Sequence, residues 1–120
     1  MELRVEVFPA DLDRFADFYL RVLRFELVSD KRGDRSPYIA VRRGGVKIGA
    51  TLAWAPIDAG ARAVPQGVGL VLEVDDLVAE RDGVVAAGWP IADDITLRPW
   101  GLNDFRLFDP DGNYMRFTIR

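Results

Sequence analysis

The chain contains neither histidine nor cysteine among its 120 residues. Without cysteine there are no disulfides, thiolate nucleophiles, zinc knuckles or iron–sulfur ligands. Without histidine the chain lacks the usual near-neutral acid/base and the commonest transition-metal ligand. A metal ion would have to be held by oxygen alone, which narrows the choice to Mg²⁺, Ca²⁺ or Mn²⁺. Lysine is scarce as well: Lys31 and Lys47 are the only two, so arginine carries the positive charge. No apolar run reaches the ~20 residues that span a bilayer. The start, Met1-Glu2-Leu3-Arg4, lacks a signal-peptide layout. A cytoplasmic protein with no membrane partner is expected. Sixteen basic against nineteen acidic residues leave a net charge of −3, which argues against a nucleic-acid surface.

What is present is enough for one domain with a real core, since 49% of the residues are hydrophobic. Leu3–Phe8 alternates as a strand, with Leu3, Val5 and Val7 on the buried side. Asp11 is placed to cap a helix over 11–23, where Leu12, Phe15, Ala16, Tyr19 and Leu23 recur at helical spacing. Strands are expected at 26–29, 38–41 and 46–54, the last two joined at Gly44-Gly45. Residues 56–66 are rich in proline, glycine and small side chains and read as a linker. The pattern then restarts: a strand over 68–74, a helix over 77–87 capped by Asp76 and ended by Gly88, and strands at 91–97, 103–108 and 114–119.

The two halves overlay when Val5 and Val7 are set on Leu70 and Leu72, and Asp11-Leu12 on Asp76-Leu77. The fold class is therefore α+β: two βαβββ modules, 1–55 and 67–120, forming a curved mixed sheet with outer helices. A module with one helix covers one sheet face and leaves a second, concave one. Strand alternation sorts side chains between them. Val5, Val7, Phe105, Leu107, Met115, Phe117 and Ile119 face the helices. Arg4, Glu6, Phe8, Gly69, Val71, Glu73, Arg106, Phe108, Tyr114, Arg116 and Thr118 face the hollow. Such a mixture of apolar walls and placed polar groups suits a ligand pocket, although polar residues on a second face are often simply solvated. Trp54 at a strand end and Trp100 in a Pro-Trp-Gly loop are candidates to line it, with Tyr38 as a further wall. Trp89 follows a helix stop and reads as core.

The remaining motifs are bland. Asp109-Pro110-Asp111-Gly112-Asn113 has part of a calcium-loop spacing but not its glycine or its closing glutamate, and reads as a hairpin turn. Asp75-Asp76 and Asp93-Asp94 read as a helix cap and a solvated loop. Lys31-Arg32 and Arg42-Arg43 read as solvated charge runs.

Two such modules, a Pro99-Trp100-Gly101 loop and the run Phe105-Arg106-Leu107-Phe108-Asp109-Pro110-Asp111-Gly112-Asn113-Tyr114-Met115-Arg116-Phe117 resemble the glyoxalase / bleomycin-resistance / extradiol-dioxygenase superfamily, the vicinal oxygen chelate fold. The opening Val7–Tyr19 strand and helix is similar to that superfamily's, and the likeness covers nearly the whole chain. The resemblance implies, in metal-dependent members, a divalent ion held by His, His and Glu on the first, fifth and last strands. Arg4, Gly69 and Arg116 stand at the matching positions here, two cations and a glycine, so no metal and no cofactor are expected. Arg24 stands where a glycine is usual after the first helix. The resemblance then points to the bleomycin-resistance-like branch, implying an aromatic-lined groove and a homodimer, with exchange of modules between chains left open.

The expected function is metal-independent binding of a small molecule with aromatic rings. Arg4, Glu6, Tyr38, Trp54, Glu73, Trp100, Phe108, Tyr114 and Arg116 are the candidate ligand-binding residues. The mixed charge of that face allows for a carboxylate, sulfate or phenolate on the ligand. Arg4 and Arg116 either contact the ligand or pair with Glu6 and Glu73. Two alternatives stand beside this one. The first is a metal-independent isomerase or lyase, with Glu6, Glu73 or Tyr114 as acid/base and Arg116 stabilising negative charge. The second is a dimeric scaffold or regulatory domain whose hollow is filled by its own side chains.

Overall fold

The computed structural model describes residues 1–62 and 68–120, and the chain divides into two units, Met1–Ile57 and Asp58–Arg120. The first has the order strand, helix, then three strands, and the second repeats it after a short helical turn. The first contains β1 (Val5–Val7), α1 (Leu12–Ala16), β2 (Glu26–Lys31), β3 (Tyr38–Arg43) and β4 (Val46–Thr51). The second contains α2 (Ala59–Arg62), β5 (Leu70–Val74), α3 (Leu77–Ala86), β6 (Asp93–Leu97), β7 (Asn103–Phe108) and β8 (Tyr114–Ile119). The sheet orders are β1-β4-β3-β2 and β5-β8-β7-β6. In both, the first strand lies parallel to the last, and the other pairs are antiparallel.

In the first unit Asp11 caps α1 by accepting from the N–H groups of Asp13 at 2.8 Å and Arg14 at 3.1 Å. The helix then widens into a π-helical stretch over Asp17–Val22. A strict 3.6-residue repeat would turn one of Phe18 and Tyr19 away from the sheet. The wider turn lets both be fully buried, together with Val22 and Leu23. Tyr19 packs against Phe15, Phe18 and Phe25 with ring centroids 4.4, 4.9 and 5.7 Å away. Ile39, Val41, Ile48 and Ala50 complete this core from β3 and β4. The helix ends with Arg24 at φ 58° while Phe25 N–H reaches back to the Tyr19 carbonyl at 2.8 Å. Among the described residues Arg24 is the only non-glycine residue with a positive φ.

In the second unit the core is built on cross-strand pairs. Phe105 and Phe117 stand opposite each other and stack with centroids 4.8 Å apart, and Leu107 faces Met115. All four are at most 1% exposed. Asp76 caps α3 through the Ala79 N–H at 2.9 Å, and Leu77 and Val84 are buried. Trp89 is half-buried and donates its indole N–H to the Phe108 carbonyl at 2.8 Å. The turn after β7 is built on Asp109, whose Oδ1 accepts from the N–H groups of Asp111 and Asn113, both at 2.9 Å. Gly112 sits at φ 83°, and a Cβ there would run into the Ala59 carbonyl oxygen.

Several expectations change. Leu3 is 81% exposed because β1 begins only at Val5. The stretch expected as a linker includes the helical turn α2, which meets the Asp109–Asn113 turn at Gly112. Residues 63–66 of that stretch, and residue 67 of the second module, lie outside the described residues. Asp93 and Asp94 open β6 and are engaged by Arg98 and Arg81, both at 2.7 Å, so they are no solvated loop. Hydrogen bonding from Arg81 holds the Asp94 carboxyl below its usual range. Arg32 bridges Asp30 and Asp13, at 2.7 and 2.9 Å, and its hydrogen bonds bring the Asp30 carboxyl to about 2. Arg43 donates to the Leu23 carbonyl at 3.0 Å, closing the helix end onto β3.

Gly112→Ala is expected to destabilise the protein by about 2 kcal/mol or more, because it adds a backbone clash to a left-handed φ; the midpoint of urea unfolding measures this. Arg24→Gly is expected to raise stability by about 1 kcal/mol and Arg24→Val to lower it by a similar amount. Thermal unfolding of both variants checks the sign.

Candidate functional site

The face of the second sheet turned away from its core carries a dense charge cluster. Register dictates who meets whom. Arg106 stands directly opposite Arg116, Asp104 opposite Thr118, and Phe108 opposite Tyr114. On the other side of β8, Val71 lies beside Arg116 and Glu73 beside Thr118. Two arginines facing each other across antiparallel strands repel. Asp104 relieves this: its side chain is 1% exposed and it is approached by three guanidinium groups. Its Oδ1 accepts from Arg98 Nε at 2.7 Å and Arg106 Nε at 3.2 Å. Its Oδ2 accepts from Arg106 Nη2 at 3.5 Å and lies 3.8 Å from Arg116 Nε. Burial pushes the Asp104 carboxyl up, but hydrogen bonds and charge from Arg106 and Arg98 outweigh that and hold it below its usual range.

Arg98 comes from the turn between β6 and β7. Its N–H donates to the Leu102 carbonyl and its own carbonyl accepts from Gly101 N–H, both at 2.9 Å. Gly101 takes φ 91°, which closes the turn. With Arg98 bound inward to Asp104 and Asp93, Trp100 stands at the tip, 56% exposed, with the Arg116 guanidinium 5.8 Å from its ring centroid. Arg106 lies 5.8 Å from the Tyr114 ring, and Tyr114 is 5.7 Å from Phe108. Trp100, Phe108, Tyr114 and Arg116 are thus neighbours in one patch. Glu73 is on the same face but one register step from Arg116. The Arg116–Glu73 pair, one of the two alternatives, does not occur among the described residues: Arg116 pairs with Asp104, and the parallel register sets Val71 beside it.

The other candidates belong to the first unit. Arg4 and Glu6 form an exposed ion pair at 3.4 Å, as one of the expected alternatives had it. Glu6 lies beside Gly49 on β4. Tyr38 crosses the same glycine: a Cβ on Gly49 would come 2.5 Å from the Tyr38 hydroxyl and 3.1 Å from Glu6 Oε1. That hydroxyl is buried and has no hydrogen-bond partner among the described residues. Trp54 is 95% exposed and meets the edge of Phe8 at 6.4 Å.

Asp104 and Arg98 were not singled out from the sequence. Alternation alone puts Asp104 on the face of Arg106 and Phe108, so it was findable; Arg98 acts from a turn, where no periodicity applies.

The metal centre implied by the resemblance does not fit these residues. Gly69 offers no side chain, Arg4 is bound to Glu6, and Arg116 is a cation beside Asp104. No group of three carboxylates that could hold an ion occurs among the described residues.

Asp104→Asn keeps the shape but leaves three arginines without their shared charge. It is expected to cost about 2 kcal/mol at pH 7, less than a fully buried pair because the arginines are partly exposed. The wild-type carboxyl is held low, so its contribution is present above the ordinary aspartate pKa of about 4 and fades as pH falls through the lowered value. The difference between the two proteins therefore shrinks below pH 4, as urea unfolding at stepped pH would show.

No curated protein sequence matches the chain. Among solved structures, TioX from Micromonospora sp. ML1 superposes with a TM-score of 0.79 at 23% identity, covering 99% of this chain and 98% of that one. The bleomycin resistance determinant encoded on transposon Tn5 and a bleomycin-binding protein complexed with bleomycin each superpose with TM-score 0.79 at 22% identity, covering 100% of this chain and 98% of theirs. These likenesses establish the fold. The sequence profile of one superfamily matches residues 3–117, and the chain belongs to it: the Glyoxalase/Bleomycin resistance protein/Dioxygenase superfamily.

Proposed function

We propose that this protein binds a small molecule with planar aromatic rings and sequesters it without a metal ion and without chemical change. The observation that carries this reading is Trp100, held more than half-exposed above Arg116 on the same patch as Tyr114 and Phe108. A large ring projecting from a glycine-closed turn is stacking surface not used by the protein's own core. Trp54, 95% exposed beside Phe8, offers a second such ring in the first unit. The superfamily includes proteins that bind a drug, as the bleomycin-binding neighbour does, which supports small-molecule binding as the role. A homodimeric, cytoplasmic protein is part of the proposal. Exposed Val68 and Leu97 in the second unit supply apolar surface for a subunit contact.

The alternatives fit less well. Of the acid/base candidates for an isomerase or lyase, Glu6 is engaged in an exposed ion pair with Arg4. A scaffold with a hollow filled by its own side chains would not hold Trp54 and Trp100 outward.

Thermal-shift screening against planar aromatic compounds, with and without Mn²⁺, Ni²⁺ and Zn²⁺, tests the reading. Aromatic ligands should raise the unfolding temperature in a concentration-dependent way, and the metals should add nothing. Trp100→Ala should weaken a ligand found this way by roughly ten- to hundredfold, in line with about 1–3 kcal/mol per stacked ring. Strong stabilisation by a divalent ion alone would overturn the proposal.

A further inference from the structure

Resting on that reading, we infer that the β7–β8 patch recognises a single negative charge on its aromatic ligand, a carboxylate or sulfonate, through Arg116. Three guanidinium groups, Arg98, Arg106 and Arg116, meet two carboxylates, Asp104 and Asp93. The cluster is one positive charge in excess. Glu73 stands beside Thr118, and no ion pair joins it to Arg116 among the described residues.

The excess is located on Arg116. Asp104 gives its short contacts to Arg98 at 2.7 Å and Arg106 at 3.2 Å. Arg116 comes third, at 3.8 Å, beyond hydrogen-bond reach. Its Nε is buried without a hydrogen-bond partner among the described residues. A planar fork with five donors is matched to a carboxylate. Here it is 31% exposed and lies 5.8 Å from the Trp100 ring centroid. A ring stacked on Trp100 would carry an attached carboxylate towards that fork. The charge count also sets a limit. One negative charge balances the cluster; a dianion such as a phosphate monoester leaves its second charge uncompensated beside the acidic pair.

Isothermal titration of the full chain with naphthoate, naphthamide and naphthyl phosphate, at fixed ionic strength and neutral pH, tests this. The expected result is naphthoate binding at least tenfold tighter than naphthamide, with naphthyl phosphate no tighter than naphthoate. Arg116→Gln should bring the naphthoate-to-naphthamide ratio to about one. Asp93→Asn, which raises the positive excess to two, should move the preference towards naphthyl phosphate. If Arg116→Gln fails to fold, Asp93→Asn and Arg116→Lys carry the test, the lysine giving an intermediate ratio because it keeps the charge without the fork. Equal affinity of the wild type for naphthoate and naphthamide overturns the anion inference and leaves aromatic binding standing. Binding of none of the three probes overturns the binding reading, and this inference falls with it.

Discussion

Arg106 and Arg116 face each other across neighbouring strands, and the second sheet accommodates them because Asp104 lies buried between their guanidinium groups. Much of that unit's polar face is arranged around this carboxylate. It draws Arg98 inward, which fixes the turn carrying Trp100. It spends its hydrogen-bonding capacity on Arg98 and Arg106, which leaves Arg116 under-bonded beside the indole. Stability and recognition thus share one group. A buried aspartate amid three cations is favourable only while all the charges persist, since removing one partner strands the others in a poorly solvated place.

The two units use one scaffold for unlike contents. In both, the middle of the last strand lies beside the middle of the parallel first strand. In the first unit that place is Gly49 beside Glu6, and Tyr38 lies across the gap. In the second it is Arg116 beside Val71, with Arg106 opposite. One face is closed over by a tyrosine and the other is opened by an arginine. Internal repetition conserves register and core, and leaves the outward residues to diverge, because only the inward set must satisfy close packing.

The core was legible in the sequence because alternation is a steric property of the strand. Residues 103–108 and 114–119 form strands as expected, and the stacked Phe105–Phe117 pair follows from that alternation once the strands pair. The glycine-like position of Arg24 was also visible, and its positive φ gives the reason. Less legible was anything decided across strands. Arg116 and Glu73 are both on the outward face by parity, but which residue stands beside Arg116 depends on a parallel register that no local pattern reveals. Asp94 and Arg32 looked solvated for the same reason: Arg81 pairs with Asp94, and Asp13 with Arg32, from more than ten residues away in sequence. The π-helical widening of the first helix is invisible to a fixed helical period.

The contact between Gly112 and the Ala59 carbonyl redraws the seam of the molecule. The helical turn Ala59–Arg62, which in sequence looks like connecting tether, meets the Asp109–Asn113 turn through Ala59. The first unit has no counterpart to this helical turn, so the two repeats are unequal in what they need to stand alone. Anyone dividing the chain into complementing fragments, or opening it for circular permutation, would do better to cut between Ile57 and Asp58 than within Ala59–Arg62.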